Sequence, residues 1–186
     1  MPELKILGCD PSFSNWGIAQ GIFNPVTRTL RIVGMSVTKP VISKGKTTRQ
    51  NSADLQRAKQ LAKGMIDVIK QADVITVEVP HGSQSARAMA SYGVCIGILG
   101  TLQNTRTPMI EVSALETRQV ITGKKEATKE QAIAWAVAKH PEAPWPMHNG
   151  KLNASLAEHM ADAIASIYAA METDTFKTMA MLASKE

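Results

Sequence analysis

Three apolar stretches follow one another near the start of the chain, and their spacing limits what it can fold into. Leu4 to Asp10 is apolar up to an aspartate, with Pro11 and Ser12 directly beyond it. Trp16 to Phe23 is a second run, Asn24 and Pro25 mark a turn, and Leu30 to Val37 alternates loosely as a third. Short apolar runs broken by turn residues read as strands. Their connections are too short for a crossover helix, so the three strands are expected to pair as an antiparallel meander.

Beyond them the pattern changes. Thr38 to Gln50 is polar and basic and reads as a loop. Asn51 or Ser52 can cap a helix running to about Gln71, with Leu55, Ala58, Leu61, Met65 and Ile69 on one face. Asp73 to Val79 is a buried strand, apolar except for Glu78 after its first residue, and Pro80 ends it. Gly82 to about Gln103 reads as a helix in which Ala86, Ala90, Gly93, Gly97 and Gly100 recur at helical steps, a face that admits close approach. Pro108 to Val112 is a short strand. Ser113 to Glu116 and Thr128 to Gln131 fit capping boxes, and Ser155 to Glu158 fits a third that opens a last helix to about Met171. Strand–helix alternation after a meander predicts an α/β domain on a mixed sheet over residues 1–171, with residues 172–186 as a C-terminal tail.

The charge is uneven. The chain of 186 residues carries a net +5, but Lys39 to Lys70 holds eight basic residues against Asp54 and Asp67, a local +6. From Gln131 on there are four lysines against six carboxylates. A basic block beside an acidic end suits a protein that holds phosphates on one face and cations on another. Apolar residues at 44% and charged residues at 20% exclude a disordered chain. Aromatics at 4% argue against a surface that grips single strands by base stacking. Cys9 and Cys95 lie in apolar stretches without metal-ligand spacing and read as core residues of a reducing compartment. No signal pattern or membrane-length apolar run is present, so a soluble, cytoplasmic protein is expected.

Two carboxylates sit where a charge is costly. Asp10 ends one apolar strand, and Glu78 interrupts another near its end. A buried carboxylate must be paired or coordinated. His159 and Asp162, three apart on the last helix, share a face otherwise made of Ala, Met and Ile. Glu158 also lies near, and the capping box is its expected role. An Asp, a Glu and a His/Asp pair from separate elements suit an oxygen-preferring divalent cation better than zinc. His81, His140 and His148 fall in loops or helix ends.

Four segments in order resemble RuvC-type Holliday junction resolvases of the RNase H-like superfamily. ILGCDPSFSNWGIA (Ile6 to Ala19) resembles their opening strand and acidic residue, and VITVEVPHGSQSARAMASYGVCIGIL (Val74 to Leu99) their second acidic strand and small-residue helix. SALETRQVITGKKEATKEQA (Ser113 to Ala132) resembles their basic segment, and EHMADAIASIYAA (Glu158 to Ala170) their last helix. The resemblance implies an RNase H-like fold, a homodimer formed through the Gly82–Gln103 helix, and cleavage of four-way DNA junctions with paired nicks. It implies a site of two Mg²⁺ ions, replaceable by Mn²⁺, held by Asp10, Glu78, His159 and Asp162. Lys129 matches the family's basic residue near the scissile phosphate, and Arg118 stands where another lysine is usual. Lys44, Lys46, Arg49, Arg118, Lys124 and Lys125 are the expected DNA contacts. Pro80 and His81 stand where the family often carries an aromatic wedge.

Other readings are a related nuclease acting on forks or flaps, a module that binds branched DNA without cutting, and an actin-like ATPase. The last needs two such domains to enclose a nucleotide, and 186 residues are too few.

Overall fold

The structure, a computed structural model, describes residues 3–42 and 49–185. Strands β1 (Leu4–Asp10), β2 (Trp16–Asn24) and β3 (Thr29–Thr38) form the expected antiparallel meander. Asn24 closes the β2–β3 turn, its Oδ1 accepting from the backbone N–H groups of Val26 and Thr27. Helix α1 (Gln50–Ile69) leads to β4 (Val74–Glu78), and α2 (Ala86–Gln103) to β5 (Met109–Val112). Both strands run parallel to β1, giving one mixed sheet in the order β3-β2-β1-β4-β5. Helices α3 (Ala114–Thr122) and α4 (Lys129–Lys139), a hairpin of β6 (Met147–His148) and β7 (Lys151–Leu152), and helices α5 (Ala154–Met171) and α6 (Asp174–Ala183) complete the chain.

Side-chain alternation divides the core between the two faces of the sheet. Leu7, Cys9, Ile75 and Val77 point toward α1 and α2 and pack with Leu61, Met65, Cys95 and Leu99. Ile6 and Val74 point the other way, toward Ile164 and Ile167 of α5. Each such aliphatic side chain contributes roughly 1.5–3 kcal/mol by leaving water. Alternation along β1 and β4 then puts Asp10 and Glu78 on the α5 face as well. Both cysteines are buried free thiols, each pushed up to about 12 chiefly by burial, which leaves them unreactive.

Three local expectations are corrected. Asn51 and Ser52 lie inside α1, whose N-cap is Arg49, with no side-chain bond. The α2 helix starts at Ala86 rather than near Gly82, because Ser85 accepts from the N–H of Ala88 and fixes the first turn there. The capping boxes of α3 and α4 are formed as expected, but the one at Ser155–Glu158 is not. Asn153 caps α5 instead, directly after β7, which an Asn149–Gly150 turn with both residues at positive φ folds back on β6. Glu158 therefore lies in the second turn, too far along to reach back to the cap. The residues expected as a tail carry α6, with Phe176 buried edge-on against Phe23.

His140 has a structural place. It is buried at the end of α4, its Nε2 lies 3.0 Å from the Tyr168 hydroxyl, and its carbonyl accepts from the Trp145 indole at 2.8 Å. No helix among the described residues is long and apolar enough to cross a membrane.

Candidate metal and phosphodiester site

The parallel pairing of β1 with β4 matches Cys9 with Val77, so Asp10 and Glu78 follow side by side at the ends of adjacent strands. Helix α5 lies across them at close range. A Cβ at Gly8 would overlap the carbonyl of Ala163, and one at Gly17 would overlap the backbone of His159. These glycines let the helix settle on the sheet, which brings His159 down to Asp10.

His159 Nδ1 lies 2.8 Å from Asp10 Oδ2. An ionised carboxylate only accepts, so Nδ1 carries the hydrogen and Nε2 is left as the outward nitrogen. The hydrogen bond to Asp10 raises the His159 pKa, against an opposing effect of burial. Asp162, one turn on, is pushed up to about 7, first by burial and then by the negative charges of Asp10, Glu78 and Glu158.

Glu78 is held by a residue that sequence reasoning missed. Thr117 on α3 is buried, and its hydroxyl donates to Glu78 Oε2 at 2.7 Å. It follows the Ser113–Glu116 capping box directly, so the box sets the turn that aims it. Sequence carries no signal for a partner 39 positions away.

Two cavities meet at these carboxylates. One of about 200 Å³ is lined by Asp10, Glu78, Thr117, Arg118, Lys129, Glu158 and Asp162. Another of about 440 Å³ extends from Asp10 and Glu78 past Pro80, His81, Tyr92 and Arg118. A groove of about 470 Å³ at the opposite end of the sheet, between Phe23, Arg28 and α6, contains no such cluster, so size alone does not mark the site. Lys129 opens α4, and its Nζ lies 2.6 Å from Glu158 Oε1.

The expected site residues thus divide. Asp10, Glu78, Asp162, Lys129 and Arg118 line one cavity, and His159 joins them through Asp10. Lys124 and Lys125 are exposed in the α3–α4 connection, and Arg49 is exposed at the start of α1. Lys44 and Lys46 lie outside the described residues. Part of the basic block is used internally: Asp54 accepts from Arg57 and, through two bonds of 2.6 and 2.8 Å, from Arg87 of α2. Both guanidinium groups lie over the Phe13 ring, and they hold the Asp54 carboxyl down at about 2, Arg87 most strongly.

Among the described residues, no three His, Cys, Asp or Glu side chains already close on one ion. The donor set nonetheless fits a hard divalent cation. Carboxylates from three elements line a cavity whose lysine and arginine are the counter-charges, the His159 imidazole is hydrogen-bonded to one of them, and Asp162 is left holding a costly charge.

No protein-family model matches the chain. It is similar to the crossover junction endodeoxyribonuclease RuvC of Desulforamulus reducens, at 28% identity over 148 residues, 76% of this chain and 83% of that one. A structure of T. thermophilus RuvC in complex with Holliday junction substrate matches with a TM-score of 0.65 at 16% identity, over 90% of this chain and 96% of that one. A further Thermus thermophilus RuvC structure matches at 0.61 and 17% identity, over 91% and 98%. In fold the chain matches those RuvC structures, an RNase H-like mixed sheet flanked by helices, and in sequence it is similar to a RuvC-type resolvase.

Proposed function

We propose that this chain is a structure-selective endonuclease that resolves four-way DNA junctions by metal-dependent hydrolysis, leaving paired nicks. The observation that carries the reading is the cavity in which strand-end Asp10 and Glu78 meet Asp162 of α5, with Lys129 and Arg118 lining the same space.

Asp10, Glu78, His159 and Asp162 are the residues to hold Mg²⁺, with Mn²⁺ a substitute. When bound, the ions supply charge neutralisation at the scissile phosphate and a water acidic enough to attack it. The chain's own groups prepare that site. Thr117 fixes the Glu78 carboxylate, and Asp10 fixes the His159 ring with Nε2 outward. Arg118 offers a planar donor fork to a phosphate, and Lys129 a mobile point charge that offsets negative charge growing on phosphorus. Lys124 and Lys125 beside them, with Arg49 and the basic segment before α1, hold the junction arms, so binding weakens steeply with salt.

The partner expected on α2 is a second copy of the chain. Gly93, Gly97 and Gly100 have nothing within 4 Å of where a side chain would begin, while Met89 and Ile96 are exposed on the same helix. A two-fold dimer would set two sites against opposing strands of a two-fold junction.

The deciding experiment is a cleavage panel with Mg²⁺ that offers four-way junction, fork, flap and duplex to the wild type and to Asp10→Asn. Paired nicks near the crossover, with cleavage reduced at least a thousandfold and binding kept in the variant, are expected. Cutting retained by Asp10→Asn rejects the metal-site assignment. Preference for flaps or forks rejects the resolvase reading.

A further inference from the structure

Glu158 is the one acidic residue of the cavity to which the proposed chemistry gives no task. It stands one turn before Asp162 on α5, and its carboxylate receives Lys129 Nζ at 2.6 Å. The lysine side chain is 72% exposed and the glutamate 22%, so a solvent-facing ammonium folds back onto a carboxylate fixed in the cleft wall. The pairing raises the lysine's pKa, so its charge is secure.

A carboxylate presents two oxygens sharing a negative charge, much as a phosphodiester presents its non-bridging oxygens. Lys129 is therefore already bound to an anion in the free protein. We infer that Glu158 is a built-in phosphate surrogate, which a DNA phosphate must displace from Lys129 before the site is engaged. The inference rests on the reading of Lys129 as the residue that meets the scissile phosphate.

An exposed ion pair exchanges at low cost. The displaced carboxylate, however, remains in the cleft wall facing the incoming phosphate, and like charges repel. A phosphate fixed by contacts along several junction arms overcomes that barrier. A phosphate of plain duplex, touching the cleft alone, does so less well. The pair thereby acts as a threshold that favours branched substrate.

Fluorescence anisotropy without divalent cation separates this from cleavage. Glu158→Gln keeps the side-chain shape and removes the competing charge. The variant is expected to bind junctions roughly two- to fivefold more tightly, with duplex gaining at least as much. Its salt dependence should steepen by about 0.9 in log–log slope, because the phosphate that Lys129 neutralises then releases a DNA counterion with no freed carboxylate to take one up. In a Lys129→Met background the same substitution should gain measurably less, keeping only the repulsion of the lone carboxylate, and the difference is the coupling a double-mutant cycle reports.

With Mg²⁺, KM should fall while kcat holds. A gain undiminished in the Lys129→Met background would mean general repulsion alone and overturn the inference. So would no gain at all, or a fall in kcat at constant KM, which would make Glu158 an aiming residue. A wild type that binds no DNA overturns both this and the resolvase reading. A wild type that binds and cuts junctions while the variants stay flat overturns this inference alone.

Discussion

Helices α2 and α5 are each 18 residues long and rich in small residues, yet they use that smallness in opposite ways. Ten residues of α5 are buried, six of them alanines, and the sheet answers with Gly8 and Gly17 where the helix backbone presses closest. Only four residues of α2 are buried, and its three glycines face open space. Small residues in α5 have already served close packing within the chain. Those in α2 have not, and a glycine in an exposed helix costs about 1 kcal/mol relative to alanine. The difference separates a helix that positions a site from one whose glycine face stays open in the single chain.

The largest expected effect lies on the α5 side. In Gly17→Ala the new methyl would meet the backbone of His159, which cannot rotate aside. The helix must lift, at roughly 1–3 kcal/mol or more. For a chain this long that lowers Tm by about 5–10 °C. It also moves His159 from Asp10, so cleavage should fall far more than stability does. Thermal melts alongside the junction assay check both, and an unchanged melt would break the account of how α5 is seated.

Asp162 gives a smaller effect with a definite sign. Its folded pKa stands at about 7, above its ordinary 3.8, so between those values the folded protein binds the extra proton. Stability from this group therefore falls as pH rises from about 4 to about 7 and is flat beyond. Asp162→Asn removes the buried charge. Without divalent cation, its Tm should exceed the wild type's at pH 8, and the two should converge near pH 4. Added Mg²⁺ should raise the wild type's Tm and leave the variant's nearly unchanged, since the ion stabilises the folded state only where it has its ligands. A variant no more stable than wild type at pH 8 would show that the carboxylate is not strained.

The same contrast explains what could be read from sequence. Asp10 and Glu78 stood out because a carboxylate in an apolar strand is anomalous on its face, and His159 and Asp162 because helical spacing puts them together. The sheet followed from strand lengths and connection lengths. Thr117 and the Asp54–Arg87 pair did not stand out, because ordinary polar residues acquire their meaning only when elements 33 or 39 positions apart meet. Two features were legible and missed. Asn149–Gly150 between short segments is a hairpin signal, and Thr173 followed by Phe176, Met179 and Ala180 is a capped amphipathic turn. Reading the hairpin would have moved the α5 cap to Asn153 and released Glu158 from the capping box to its place opposite Lys129.

The smallest expected effect tests the α2 side. Gly97 has nothing within 4 Å of its missing side chain, so Gly97→Ala is sterically free within one chain. Helix propensity then predicts a gain of up to about 1 kcal/mol for the isolated chain, or roughly 2–4 °C in Tm. A second copy packed closely on this face reverses the outcome, because the added methyl occupies space the partner needs. Light scattering across a dilution series separates the cases. A dimer weakened by Gly97→Ala, with a higher Tm at dilutions where the protein is monomeric, supports glycines retained for association. A dimer indifferent to the substitution would place the partner elsewhere and leave the α2 glycines as a stability cost without return.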